Sequence, residues 1–181
     1  MDLSTDNNIM LKVKSGEIDK LGLLFERYKK PLFGYFYRTI HDKETSEDLV
    51  QNVFYRILKY RSKFAGHGKF TNWMYRIAHN VSIDHFRKNK PNQNSEEITD
   101  TDLKYLKSER DKIAENDESQ QISQAIQLLD PEEKEILVLS KYQGLKYKEI
   151  GEIIGCTEGA VKTKVFRAIV ALKHIYLKLD E

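Results

Sequence analysis

One polar, breaker-rich segment divides this chain into two stretches that both carry helical periodicity. Residues 89–97 read Asn-Lys-Pro-Asn-Gln-Asn-Ser-Glu-Glu, and an acidic excess continues to about residue 117. Such a run has too little apolar surface to offset the entropy of ordering it. The 181 residues therefore read as two small domains rather than one uniform globule. Charge follows the same division. Residues 1–88 hold 16 basic and 10 acidic side chains, residues 89–122 hold 5 and 9, and residues 123–181 hold 9 of each. A basic front half, an acidic middle and a balanced rear half follow one another along the chain.

The front half repeats its apolar residues at helical spacing. Leu21, Leu24, Phe25, Tyr28 and Leu32 fall on one stripe, with Pro31 marking a bend or a new start. Thr45-Ser46-Glu47-Asp48 has the form of a capping box ahead of Leu49, Val50, Val53, Phe54, Ile57 and Leu58. In the rear half, Asp130-Pro131-Glu132-Glu133 opens a helix: Asp as N-cap, Pro first, carboxylates in the first turn. That helix is expected to end at Gly144. A short helix from Tyr147 to Ile154, the turn Gly155-Cys156-Thr157 and a long helix from Glu158 then make a helix-turn-helix pattern. No alternating β-branched runs bounded by tight turns occur. The expected fold class is all-α, with two small helical domains at 1–88 and 122–181. A flexible acidic linker, 89–121, joins them and carries a transient helix near Leu103 and Leu106.

Residues 55–83 are the chemically most informative stretch, with six Lys/Arg, six aromatic residues and no Asp or Glu. Cations neutralise phosphates without regard to sequence, and aromatic faces give unpaired bases a surface to stack on. Phe70 to Lys88 contains no Gly or Pro and reads as one helix, with Thr71 as its N-cap. At about 100° per residue, Met74, Ile77, Ala78 and Val81 share an apolar face. Arg76, Asn80, Ile83 and Arg87 share the opposite one, with Trp73 and Asp84 on its border. The second face carries donors suited to phosphates and base edges. Its plainer reading is a solvated basic face with a half-buried Trp. Just ahead of the helix, Phe64-Ala65-Gly66-His67-Gly68-Lys69-Phe70 reads as a loop between aromatics, able to form a small concave pocket.

The last helix carries Lys162, Lys164, Arg167, Lys173 and Lys178 and no acid between 159 and 179. Val161, Val165, Ala168 and Leu172 form its core stripe, leaving Lys162, Thr163, Phe166 and Arg167 outward, where a recognition helix meets the major groove. An exposed Phe there can touch a thymine methyl. Cys156 is the only cysteine, so no intrachain disulfide forms and a reducing compartment fits. It reads as a small core residue rather than a redox sensor. The five His are scattered, which leaves no structural zinc site and no cofactor expected. No apolar run approaches membrane-spanning length, so the protein is expected to be soluble and cytoplasmic.

Asp48-Leu49-Val50-Gln51-Asn52-Val53-Phe54, the 64–70 loop and Trp73-Met74-Tyr75-Arg76-Ile77-Ala78-His79-Asn80 together resemble the second domain of bacterial sigma factors of the extracytoplasmic-function (ECF) group. Leu129-Asp130-Pro131-Glu132-Glu133-Lys134-Glu135, Tyr147-Lys148-Glu149-Ile150-Gly151 and 159–167 resemble the fourth domain of that family. The likeness covers roughly 20–88 and 122–178, in family order. It implies a protein that binds core RNA polymerase, reads two promoter elements and helps open the duplex. Asp48, Gln51, Asn52, Phe54 and Tyr55 would meet the polymerase, at the clamp helices of its largest subunit; the β-subunit flap would be a second contact. Phe64, His67, Phe70, Trp73, Arg76, Asn80, Asp84, Arg87 and Lys88 would handle the −10 element, with the loop holding an extruded base. Tyr147, Lys148, Thr157, Lys162, Thr163, Phe166 and Arg167 would read the −35 element, Thr157 and the helix N-terminus holding a phosphate. The acidic linker would thread the polymerase's nucleic-acid channels. Partners would be core polymerase, promoter DNA in duplex and melted form, and an anti-sigma factor, with no small-molecule substrate.

Three departures from the family pattern stand out. Asn52 replaces a common acid, Gly66-His67-Gly68 replaces small hydroxyl residues, and Ala160 replaces a common Thr. Two other classes compete for this sequence. A free-standing helix-turn-helix regulator explains 122–178 but gives the basic aromatic helix no task. A nucleic-acid enzyme would need clustered carboxylates for metal-dependent phosphoryl chemistry, and residues 55–83 have none.

Overall fold

The computed structural model describes residues 3–88 and 117–180. In the front half, α1 (Leu3–Ser15) leads through a 3₁₀ turn (Ile18–Lys20) into α2 (Leu21–Ile40) and α3 (Lys43–Lys59). A second 3₁₀ turn (Arg61–Lys63) and the 64–70 loop precede α4 (Phe70–Lys88). The rear half holds α5 (Asp117–Gln127), α6 (Pro131–Leu137) running on into a π turn (Val138–Tyr142), α7 (Tyr147–Ile154) and α8 (Glu158–Asp180). No strand occurs among the described residues, and the protein is all-α, with two helical domains and a helix-turn-helix in the second. The helix expected near Leu103 and Leu106 lies outside the described residues. Residues 117–121, assigned above to the linker, already belong to α5, and Gln121 is buried there.

Two helix boundaries differ from expectation. α2 runs straight through Pro31. A proline inside a helix costs about 3 kcal/mol. Leu24, Tyr28, Leu32, Tyr35 and Phe36 are buried on both sides of it, at about 1.5–3 kcal/mol for each large apolar side chain, so the helix persists. α3 begins at Lys43, and its N-cap is Asp42, whose carboxylate accepts from the Thr45 N–H at 2.7 Å. The Thr45–Asp48 capping box does not form. His41 ends α2 in the left-handed region (φ 61°) and Asp42 follows it in extended geometry, so C-cap and N-cap sit back to back.

The helix-turn-helix appears where the pattern placed it. A Cβ on Gly151 would lie 2.5 Å from the Cys156 carbonyl oxygen, so glycine lets the turn close against α7. The Thr157 hydroxyl accepts from the Ala160 N–H at 3.2 Å and starts α8. Asp130 is the N-cap of α6, as expected, but it acts through its backbone carbonyl (Lys134 N–H, 2.9 Å) rather than its side chain. Cys156 is half-buried and packs against the core.

The two halves touch. α4 lies against α7, and α2 lies against α5, α6 and the π turn. Lys69 pairs with Glu149 at 2.6 Å, Asn72 donates to Glu152 at 3.0 Å, and Tyr75 donates to Gln143 at 2.6 Å. The Glu135 carboxylate accepts from the Tyr35 hydroxyl and pairs with His79 Nδ1 at 2.8 Å. Burial, and then the adjacent Glu135, push the Tyr35 hydroxyl well above its ordinary pKa, so it remains a donor.

Candidate nucleic-acid interface

On α4 the apolar stripe Met74, Ile77, Ala78 and Val81 is buried, and Arg76, Asn80, Ile83 and Arg87 stand exposed opposite it. Lys88 is exposed at the helix end. Trp73 is half-buried, its ring 5.2 Å from that of Phe64 and 6.3 Å from that of Phe70. The helix starts at Phe70, ahead of Thr71, because a distant side chain caps it: the Phe70 N–H donates to Asn7 Oδ1 at 2.8 Å.

Phe64 and Phe70 are core residues, 2% and 1% exposed, so neither ring can stack directly on a base. They form the floor on which the loop rests. What the loop presents outward is Ala65, His67 and Gly68, with Gly66 (φ 75°) and Gly68 (φ 78°) both in the left-handed region. Asp84 does not face a strand as a free acid. It accepts from Arg56 at 2.8 Å and Arg87 at 3.0 Å, and the Arg56 hydrogen bond leads in holding its carboxyl below the usual range. The cluster of two guanidiniums and one carboxylate leaves a net positive patch beside Asn80.

At the start of α8, Lys162, Thr163, Phe166 and Arg167 are all exposed, Phe166 at 67%, while Val161, Val165 and Ala168 are buried. Lys164, outside that outward set, is tied to Glu132. Lys148 is exposed and Tyr147 half-buried at the start of α7. The structure thus gathers the front set on the loop and α4, and the rear set on α8 and the ends of α7.

A third surface lies on α3. Asp48, Gln51, Asn52 and Tyr55 fall at i, i+3, i+4 and i+7 and are exposed, Tyr55 at 64%. Phe54 is buried with its ring edge-on to Phe25 at 5.0 Å, so it supports this face and does not contact a partner. Beside the stripe runs a groove of about 320 Å³ lined by Phe25, Lys29, Lys30, Phe33, Val50 and Gln51. Sequence reasoning missed the α2 side of this groove. Its signal is Phe25 and Phe33 eight residues apart flanking a Lys pair, of which only Phe25 belongs to the apolar stripe.

Residues 24–91 match the family model for sigma-70 region 2, and residues 119–172 match that for sigma-70 region 4. The ECF RNA polymerase sigma factor SigW of Bacillus subtilis is 30% identical over 171 residues, spanning 90% of this chain and 91% of that protein. The chain belongs to the ECF RNA polymerase sigma factors. As a sigma factor it directs promoter-specific transcription initiation, and its family is not one of enzymes. The RNA polymerase sigma factor YlaC of Bacillus subtilis is 29% identical over 165 residues, covering 90% of this chain and 95% of YlaC. The ECF sigma factor BldN of Streptomyces coelicolor is 29% identical over 169 residues, and this chain spans 63% of its length. In fold, the sigma factor resembles CnrH, solved in complex with the cytosolic domain of CnrY (TM-score 0.72, 20% identity, 97% of this chain and 99% of that one). It likewise resembles RpoE of Bartonella quintana, solved with the anti-sigma factor NepR (TM-score 0.65, 19% identity, 88% and 98%). No helix among the described residues is long and apolar enough to cross a membrane. No group of three His, Cys, Asp or Glu among them could hold a metal ion.

Proposed function

We propose that the front domain, 1–88, docks on core RNA polymerase and captures the melted −10 element, and that the rear domain, 122–181, reads the −35 duplex. The observation that carries this reading is Phe166. A large apolar side chain 67% exposed at the head of a basic helix has no use in the fold, and it sits where a recognition helix meets base edges. Lys162, Thr163 and Arg167 flank it, and Lys148 and Thr157 reach phosphates beside it. On the front domain, Arg76, Asn80, Arg87 and Lys88 track the displaced strand. His67 and the loop backbone receive the extruded base, with Trp73 closing the side of the pocket. Extrusion costs a few kcal/mol, and stacking offsets it at about 1–3 kcal/mol per base. The exposed α3 stripe Asp48, Gln51, Asn52 and Tyr55, with the groove beside it, meets the polymerase clamp helices, and the rear domain meets the flap. All of this takes place in the cytoplasm.

The packed arrangement of the two halves is a resting form. Elements named −35 and −10 lie about 25 base pairs apart, or ~85 Å of duplex at 3.4 Å per pair. α8, 23 residues long, spans only ~35 Å at 1.5 Å per residue, and α7 ties it directly to α4. Both elements cannot be read until the halves part. An anti-sigma factor would hold this sigma factor packed. RpoE of Bartonella quintana, similar in fold, is solved with the anti-sigma factor NepR, which supports a partner of that kind for this chain.

The deciding experiment titrates the full chain into cognate core polymerase and follows promoter opening by the holoenzyme. Saturable nanomolar binding is expected, with Trp73→Ala abolishing opening while −35 duplex binding persists. Absence of polymerase binding, or loss of duplex binding in Trp73→Ala, would refute the division of labour.

A further inference from the structure

The N-terminal helix α1 lies outside the segment that matches sigma-70 region 2, which begins at residue 24. Its buried stripe is clear. Asp6, Met10 and Val13 are 0–1% exposed, and the Asp6 carboxylate is held by Arg27 and Tyr28 of α2. A carboxylate so anchored fixes both the rotation and the height of α1 against the bundle.

One residue round the helix runs a second stripe, Asn7, Leu11 and Lys14, again at i, i+4 and i+7, and all three touch the 64–70 loop. Asn7 bridges its far end: Nδ2 donates to the Gly68 carbonyl at 2.7 Å, while Oδ1 accepts from the Phe70 N–H at 2.8 Å. Lys14 donates to the Phe64 carbonyl at 2.6 Å and holds the near end. Leu11 fills the middle, its Cδ2 lying 3.3 Å from where a Gly66 Cβ would be. The loop itself has two left-handed glycines and an exposed His67 between them, so little within it resists bending.

We propose that α1 is the brace of the base-capturing loop, with Asn7, Leu11 and Lys14 as positioning residues that fix its shape from outside. This rests on the reading of the loop given above. Asn7 holds the loop at two points with one planar amide, so a single substitution frees the Gly68 carbonyl and uncaps α4 together. The brace then sets which base is accepted, because it fixes where the loop carbonyls and His67 stand relative to Trp73.

The full-length protein, bound to core polymerase, is presented with single-stranded DNA 12-mers randomised throughout, and the bound fraction is sequenced. The unsubstituted holoenzyme is expected to enrich one base strongly at one position. Two lost hydrogen bonds of ordinary net strength should lower that enrichment about thirtyfold in Asn7→Ala. Enrichment elsewhere and polymerase affinity should stay within about twofold, the range of an uninvolved surface site. Asn7→Asp keeps the acceptor for the Phe70 N–H but sets a carboxylate against the Gly68 carbonyl. It should lose the same enrichment while α4 keeps its cap. Unchanged enrichment in Asn7→Ala, with enrichment lost in Trp73→Ala, would overturn the brace and leave the loop reading intact. A uniform fall at every position together with a lower melting temperature would also overturn it, since α1 would then be merely structural. Enrichment at no position even before substitution would overturn the loop reading and the brace with it.

Discussion

Glu135 holds the two halves of the sigma factor together at one point, and its removal should open them measurably. Its carboxylate takes the hydroxyl of fully buried Tyr35 from α2 and pairs with His79 of α4 at 2.8 Å. Both side chains of the pair are about 85% buried, being 16% and 14% exposed, so water screens the Glu135 carboxylate weakly. In Glu135→Ala the Tyr35 hydroxyl keeps only Ser82 Oγ, at 3.4 Å. A hydrogen bond to a charged group contributes about 1.5–3 kcal/mol, and a buried partner left alone costs a similar amount. Taking ~2–3 kcal/mol for the site, the ratio of open to packed forms should rise about 30–140-fold.

Cys156 reports this directly. It is the only cysteine, half-buried, and lines a cleft of about 530 Å³ between the halves, with Ile83 and Phe86 of α4 facing it. Thiol modification should accelerate by the same factor until it reaches the rate of a free thiol, and small-angle scattering should show a larger radius of gyration. Tyr35→Phe removes one of the two contacts and should give a smaller acceleration, about tenfold. A modification rate within twofold of the parent in Glu135→Ala, with no change in scattering, would refute the reasoning: the halves would then be held by something other than this carboxylate.

Three further outcomes follow from single sites. Lys134 is buried, its ammonium donating to the Gln127 carbonyl at 2.9 Å, and burial pulls its pKa from 10.5 down to about 8. Between those values the unfolded chain holds the proton and the folded chain does not, so this site lowers stability below pH 8 by ~3 kcal/mol and the penalty fades as pH rises to 10.5. Lys134→Met should therefore be more stable than the parent in urea unfolding at pH 7, with the gain shrinking by pH 10; a pH-independent gain would refute the buried-charge account. Arg56→Ala removes the leading partner of Asp84, whose carboxyl should then titrate closer to its ordinary value in an NMR titration, with Arg87 holding back the remainder. Phe166→Ala should leave the urea midpoint unchanged, as for other exposed sites, and lower −35 duplex affinity about tenfold; an equal loss on melted −10 strand would count against its assignment.

Helices were legible in the sequence wherever one residue's neighbours lie three or four positions away. The core face of α4, the turn from α7 to α8 and the outward set on α8 all follow from that spacing. Their positions agree because the same apolar atoms that set the period are the ones buried. What spacing could not assign was the rank of an aromatic. Phe54, Phe64 and Phe70 sit among basic residues and look available to a partner, yet each is 6% exposed or less, because three-dimensional neighbours such as Phe25 and Trp73 claim them. Composition shows that a segment is aromatic and basic; only the tertiary packing shows which rings, such as Phe64 and Phe70, face in and which, such as Tyr55, face out. The same limit explains the start of α4, though not that of α3, whose cap Asp42 is local. Phe70 is capped by Asn7, 63 positions away, and no local signature encodes a cap supplied from another helix.

The contact between the halves joins buried apolar residues of both into one cluster and adds a set of polar contacts that bears on function. Its named contacts are hydrogen bonds and ion pairs between side chains, several at partly exposed positions: Lys69 with Glu149, Asn72 with Glu152, Tyr75 with Gln143, Glu135 with Tyr35 and His79. Each of these groups can exchange its partner for water when the halves separate, and Lys69 can take a phosphate instead, so the polar part of the contact adds little to the net cost of opening. Asn72 shows the contact to be imperfect. Its amide nitrogen reaches Glu152, but Oδ1 is the one buried side-chain polar atom without a hydrogen-bond partner among the described residues. Turning the amide over would bring that oxygen against the Glu152 carboxylate, so neither orientation satisfies both ends. An unpaired buried acceptor costs about 1–3 kcal/mol, and separation of the halves recovers it by hydrating the oxygen. Replacing Asn72 with Ala should therefore slow Cys156 modification or leave it unchanged, unlike Glu135→Ala. Acceleration in both variants would mean that the Glu152 contact outweighs the unpaired oxygen, and that the packed form is held at α7 as firmly as at Glu135.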